Sequence, residues 1–396
     1  MKFWMFLLLC AGGFTAFAQR TIAGQVVAEG TGLPVPGASV YINNTATGVV
    51  TAADGSFQLN EVPPGDLVVS CINFETLMYP VKPEALPLKL RFELRPRIRE
   101  LENVVVGGWV TETWEKWGSV FLETFLGATP AGRRCVLTNK DVLRFRFYKK
   151  QNILEVVAEA PLLIDNPKLG YIIQYDLLDF KINLTEHSSY YAGFALFSGR
   201  QGSLKRSVQK NRKAVYYGSP MHFMRALYFK RTVEEGFQMK RMTRVRNAEK
   251  ERVRQIRKNG AARIADKRLE GTAMNEPTDS AAYYDTVMFQ KDYEEVYADH
   301  DLTPDSLLVG TDRANKVVYW NNYLAVLYVK EKEPAEFLRY TGEQRPAYYP
   351  RSWIQLKGPL IIDARGNWSP PQNIVTSGYW WWSDKVGNML PLDYEP

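Results

Sequence analysis

Residues 23–59 read AGQVVAEGTGLPVPGASVYINNTATGVVTAADGSFQL. Short apolar runs alternate here with clusters of chain-turning residues. Gly30-Thr31-Gly32, Pro34-Val35-Pro36-Gly37 and Asp54-Gly55 supply glycine for positive φ, proline for a fixed φ and aspartate for a side-chain turn. The pattern continues outward on both sides. Apolar runs fall at Thr21–Ala28, Ala38–Ile42, Gly48–Thr51, Ser56–Leu59, Leu67–Ile72, Thr76–Val81 and Leu88–Leu94, with Pro63-Pro64-Gly65 as a further turn group. In the last run Leu88, Leu90, Phe92 and Leu94 alternate with Lys89, Arg91, Glu93 and Arg95, which is the period of a strand with one buried and one wet face. Seven such runs over residues 19–106 predict an all-β, seven-stranded sandwich.

The run at 23–59, followed by PPGDLVVSCINFET (63–76) and ELENVVVGG (100–108), resembles the carboxypeptidase-regulatory-like domain. That family is a transthyretin-like sandwich common in exported proteins of Bacteroidetes-type bacteria. The resemblance covers about a quarter of the chain and implies no catalysis, because the domain is not known to be catalytic. Position 52, where the family often has an acidic residue, is Ala52, so no turn-bound cation is expected. The zinc carboxypeptidase pattern is missing too. Three residues after His187, His222 and His300 stand Tyr190, Arg225 and Thr303, where a His-x-x-Glu pair needs Glu. The joint ELENVVVGG is also similar to the one that follows this domain in TonB-dependent outer-membrane receptors. A 22-stranded barrel needs several hundred residues more than follow here, so the module is expected without the barrel.

Residues 1–18 read as a secretory signal peptide: Lys2, an apolar run from Phe3 to Cys10, and Ala16-Phe17-Ala18 before the expected cut at Gln19. A lipoprotein would acylate Cys10, but Leu9 before it is large. No later segment has the apolar length of a membrane helix. Export predicts an oxidising compartment, and Cys71 and Cys135 are expected there as two separate thiols.

Residues 107–396 predict an α+β domain. Trp114, Trp117, Phe121 and Phe125 share a helical face that stops near Gly127, and Ser219-Pro220 is a helix start, with Ser as cap and Pro at the first position. From Met221 a basic helical pattern runs towards Arg268, broken near Gly236 and Gly260. Strands are expected at 143–147, 152–158, 170–180, 316–319 and 323–330, and a hairpin turning near Arg365-Gly366-Asn367. The stretches NPKLGYIIQYDLLDF (166–180), YYGSPMHFMRAL (216–227) and SGYWWWSDKVGNMLPLDYEP (377–396) are similar to the downstream region of exported Bacteroidetes proteins that carry the same module. No activity follows from that resemblance.

Composition sets the outer limits. At 45% hydrophobic and 23% charged residues the 396-residue chain has the balance of a folded protein, which excludes wholesale disorder. Between Lys230 and Arg268 stand fourteen Lys and Arg against five Asp and Glu, so this segment carries more than the whole-chain excess of +7. Arg244, Arg246, Arg252 and Arg254 are therefore candidates for binding an anionic envelope surface, lipopolysaccharide or lipid. The bland reading is a solvated helix with Glu249–Arg252 and Glu251–Arg254 pairs. Nucleic acid is not expected for an exported chain. Trp380, Trp381 and Trp382 are candidates for stacking on a glycan, against a bland reading in which the rings fill the core.

No Gly-x-Ser-x-Gly, P-loop or Gly-x-Gly-x-x-Gly motif occurs, so no catalytic, cofactor-binding or metal residue is assigned and no cofactor is expected. The sequence predicts a non-enzymatic binding or scaffold protein of the cell envelope, periplasmic or at the outer membrane, with an outer-membrane protein as a further candidate partner. The alternative is a hydrolase of envelope glycans or peptides.

Overall fold

The computed structural model describes residues 20–97, 108–202, 204–269 and 278–396. The export address at residues 1–18 and most of the joint at 100–108 lie outside the described residues. Several sheets dominate, with seven helices among the described residues, so the chain is a multidomain β-rich protein. Its residues divide into two compact units. One runs to Ala214 and also takes in Lys385–Pro396; the other is Val215–Asp384.

In the first unit, residues 22–94 form two sheets. One has three strands, in the order Ser56–Leu59, Ile22–Ala28, Leu88–Leu94; the other has four, in the order Gly48–Val50, Ser39–Ile42, Gly65–Ser70, Leu77–Val81. Their facing sides share a core that includes Ile22, Val26, Val40, Ile42, Phe57, Leu67, Val69 and Phe92. Alternation then aims Ser39, Tyr41, Val68 and Ser70 away from that core. Tyr41, Val68 and Ser70 are nevertheless buried, because a second layer covers them.

That layer is a seven-stranded antiparallel sheet. Its main path is Val110–Glu112, Leu143–Tyr148, Ile153–Ala158, Tyr171–Asn183, Leu162–Asn166, Val136–Leu137, and Ser188–Gly199 also pairs with Tyr171–Asn183. Helix α1 (Trp114–Phe125) lies on the opposite face. Phe121 and Phe125 meet Phe145, Tyr175, Phe180 and Tyr191 at ring-centroid distances of 4.9–6.2 Å. Tyr175 faces the helix, so its neighbours Gln174 and Asp176 face the sheets of residues 22–94. A register shift between Leu177 and Asp179 reverses the parity, which lets Phe180 and Ile182 return to the helix side. Gly48 sits where this layer approaches closely: a Cβ there would lie 2.8 Å from Leu196. Helix α2 (Arg206–Tyr216) follows.

The second unit holds a five-stranded antiparallel sheet in the order Tyr293–Tyr297, Phe237–Arg246, Tyr323–Tyr328, Arg351–Leu356, Ile374–Gly378. A four-stranded sheet has the order Leu308–Asp312, Asn315–Val318, Leu360–Ile362, Trp368–Ser369. Helix α3 (Pro220–Tyr228) starts at Ser219, whose hydroxyl accepts the His222 N–H at 3.1 Å. Its Phe223, Met224 and Leu227 join Phe237, Met239, Leu324, Val326, Ile354, Leu360 and Trp380 in one core. Helices α4 (Ala248–Leu269) and α5 (Thr278–Phe289) are inserted between the first two strands of the five-stranded path.

The expected long helical segment from Met221 towards Arg268 is corrected here. Phe237–Arg246 is a strand, and helix resumes only at Ala248. Lys, Arg and Met favour helices in isolation. This stretch instead pairs Phe237 with Tyr328, Met239 with Val326 and Met242 with Tyr297, and the two ladders override local preference.

Candidate functional site

The aromatic run near residue 380 is helical. Gly378 takes φ 74°, a backbone conformation that favours glycine, and a Cβ there would lie 2.6 Å from the Arg351 carbonyl oxygen. That turn starts helix α7 (Tyr379–Ser383). At about 100° per residue, Tyr379 and Trp382 fall on one side, Trp380 on another and Trp381 on a third. Trp380 enters the core against Phe223 at 5.5 Å, and its indole N–H donates to the Gly218 carbonyl at 2.7 Å. Tyr379 and Trp382 pack on Phe337 at 5.1 and 5.5 Å. At 2% and 3% exposure, Trp380 and Trp382 present no ring face to a sugar: of the three candidates these two are corrected to core residues, as the bland reading had it. Trp381 is 40% exposed.

Phe337 belongs to helix α6 (Ala335–Thr341), which ends at Gly342 in the left-handed conformation with its N–H on the Leu338 carbonyl. One turn beyond Phe337, the half-buried Tyr340 ring sits 6.2 Å from Trp381 with 38° between the planes. Sequence reading missed Tyr340, since nothing local joins it to a residue so far along the chain. Glu336 precedes it by four positions, hence on the same helix side, and pairs with Arg339 at 3.3 Å. Behind them the buried Glu333 carboxylate accepts from Arg345 at 2.6 and 3.1 Å and from the Tyr348 N–H at 3.0 Å. Burial, then the charges of Glu331, Glu333 and Glu336, push the Tyr379 phenol upward, so it stays protonated. The result is a pair of rings on a rigid aromatic base, edged by a carboxylate and a guanidinium.

The four candidate arginines make other contacts. Arg252 donates to both oxygens of Glu249 at 2.6 and 2.8 Å. Arg254 pairs with Glu251 at 2.9 Å and Asp292 at 3.0 Å, and Arg244 stacks 4.6 Å over Tyr323 with Glu295 at 3.8 Å. Arg246 is exposed and helps to lower the Glu251 carboxyl, after the hydrogen bonds from Gln255 and Arg254. Glu249 is held down to about 2 by hydrogen bonds from Arg252 and Tyr283. Several of these acids lie at 285–295, beyond the window in which the basic excess is counted; Asp285 also pairs with Arg257.

A small polar recess in the first unit is lined by residues that include Ser70, Cys71, Arg97, Glu159 and Asp176. Asp176 is 6% exposed, and its two oxygens accept from the hydroxyls of Tyr41 (2.5 Å) and Ser70. Ser39 and Gln174 bond alongside at 3.3 Å. These groups are spent holding two layers together. Cys71 and Cys135 are separate free thiols. Burial raises both, Cys135 to about 12, which makes them weak nucleophiles. His222 is buried between the Gly218 N–H at 3.1 Å and Glu235 at 3.1 Å. No group of three His, Cys, Asp or Glu side chains among the described residues is placed to hold a metal ion. No helix among them is long and apolar enough to cross a membrane.

Comparison with known proteins places the first strands. Residues 22–106 match the family model of the CarboxypepD_reg-like domain. The chain is 36% identical over 112 residues to the TonB-dependent receptor SusC of Bacteroides thetaiotaomicron, and 33% identical over 108 residues to the TonB-dependent receptor P39 of Formosa agariphila. These alignments cover 27% and 26% of this chain and 10% of each relative. A solved chain from Bacteroides uniformis, described as a candidate carbohydrate binding protein, aligns at 12% identity and a TM-score of 0.16, covering 44% of this chain and 78% of that one.

Proposed function

We propose that this is an exported, non-enzymatic binding or scaffold protein of a Bacteroidetes-type cell envelope. Residues 19–106 would serve as its mounting module and residues 107–396 would present the binding surface. The observation that carries the reading is the regulatory-like region shared with TonB-dependent receptors. In this chain it is joined to the following sheet by the buried Asp176 bonds. A module fixed by its outer face suits a scaffold that sets the position of a neighbouring layer. The polar clusters support the same reading: Asp176, Glu333 and His222 are each engaged in contacts that hold the fold.

Cell fractionation tests it. The mature protein, its N-terminus at Gln19, is expected in the envelope fraction, and purified protein is expected to leave envelope oligosaccharides and peptides uncut. A cytosolic protein with Met1 intact would overturn the envelope assignment. Release of shortened products would overturn the non-enzymatic one in favour of a hydrolase.

A further inference from the structure

We infer that Trp381 and Tyr340 form a stacking platform for a pyranose ring of a neutral glycan. This deepens the envelope-binding reading and rests on it for where the ligand is met. Between the buried Trp380 and Trp382, Trp381 is left 40% exposed on a helix whose other faces are fixed by core contacts. The helix that carries it is therefore fixed before any ligand arrives, and little backbone ordering is required on binding. Tyr340 stands 6.2 Å away, tilted by 38°, on a helix anchored through Phe337 to the same aromatic base.

Two adjoining rings of this kind fit a flat ligand with polarised C–H groups on one face, since the face of an aromatic ring carries negative charge density. Hydroxyls at the edge of such a ligand need donors and acceptors, and the Glu336–Arg339 pair supplies both within one turn of Tyr340. Charge selects the neutral class. Arg339 is paired with Glu336, Arg345 with Glu333 and Glu343, and the Glu331 carboxyl, raised by burial, adds another acid nearby. An anionic glycan would have to compete with Glu336, Glu333 and Glu343 for these arginines. The plate is also small. At 40% exposure an indole offers on the order of 100 Å², well below the roughly 800 Å² per partner of a stable protein interface.

Affinity electrophoresis of the full mature chain tests the assignment, using gels cast with soluble starch, galactomannan, xyloglucan or laminarin. At least one is expected to retard the wild-type chain. Trp381→Ala should weaken that retardation tenfold or more, Tyr340→Ala several-fold, and Trp381→Phe should keep part of it. Melting of each variant is read in parallel; should Trp381→Ala fail to fold, Trp381→Phe and Tyr340→Ala carry the test. Absence of retardation by all four polysaccharides overturns the platform, as does undiminished retardation of the folded variants. Trp381-dependent adsorption to phosphatidylcholine vesicles in place of the glycans would assign the rings to a lipid surface and also overturn it. Each of these results leaves the fractionation outcome, and so the envelope reading, standing or falling by itself.

Discussion

Trp380→Ala is expected to lower the stability of the unit at 215–384 by about 3–5 kcal/mol, the usual cost of emptying a large aromatic site in a core. The indole is 2% exposed, packs on Phe223 and donates to the Gly218 carbonyl at 2.7 Å. Truncation would leave both a cavity and a buried carbonyl short of its donor. Trp380→Phe separates the two effects, because it restores much of the volume without the N–H; the missing hydrogen bond alone is worth about 1 kcal/mol. A difference of one position decides the contrast with Trp381, whose replacement by Ala should barely move the transition. Denaturant unfolding followed by tryptophan fluorescence measures all three. A wild-type midpoint for Trp380→Ala would mean that the helix at 379–383 does not seat its first indole in the core.

The seam at Asp176 carries the second large effect. Asp176→Ala would leave the buried hydroxyls of Tyr41 and Ser70 without their acceptor, at roughly 1–3 kcal/mol for each unsatisfied group. The pH dependence runs opposite to that of a salt-bridged acid. Burial raises the Asp176 carboxyl; hydrogen bonds from Ser70, Tyr41 and Gln174 and the charge of Arg97 oppose this without cancelling it. The folded chain therefore keeps this proton to a higher pH than the unfolded chain does. Stability from this group is greatest below the ordinary carboxylate value, falls as pH climbs from there through the raised one, and is level above it. Asp176→Asn should flatten that fall while its amide oxygen still accepts a hydroxyl, so at neutral pH it should cost less than Asp176→Ala. Unfolding curves between pH 4 and 8 check this. An unchanged pH profile for Asp176→Asn would show that the carboxyl does not titrate in that window.

Much of the first ninety residues was legible because their strands bury one face at a time and their turns use residues with special backbone freedom. Leu88–Leu94 is the clearest case, its written alternation reappearing as alternating exposure. Ser219-Pro220 was legible for a related reason: a cap is a local device, and the Ser219 hydroxyl reaches only as far as His222. Phe237–Arg246 was not, since its basic residues favour helix and its pairing strands begin at Tyr293 and Tyr323. Local pattern cannot report partners so distant.

The same limit applies to the sites. The aromatic run was visible, but the turn at Gly378 decides which of its rings is wet. The arginines were visible, but the acids at Asp292 and Glu295 that pair with two of them were outside the window. Asp176 had a signal of its own that sequence reading did not use. It is a carboxylate within GYIIQYDLLDF, a strand apolar enough to be covered on both faces, where a charge needs partners.

The return of Lys385–Pro396 to the first unit fixes an order of assembly. Leu390, Leu392 and Tyr394 are buried there, the Leu392 N–H reaches the Asn44 carbonyl at 2.6 Å, and Asp393 accepts from Ala46 at 3.2 Å. The unit at 215–384 is drawn from one unbroken stretch and can close as soon as that stretch has been synthesised. The unit that begins earlier has to wait, its loop at 43–47 lacking its cover until the later residues arrive. Synthesis thus starts one unit first and completes the other first, and a chain interrupted after Asp384 would hold every residue of the unit at 215–384 while the earlier one lacked Lys385–Pro396.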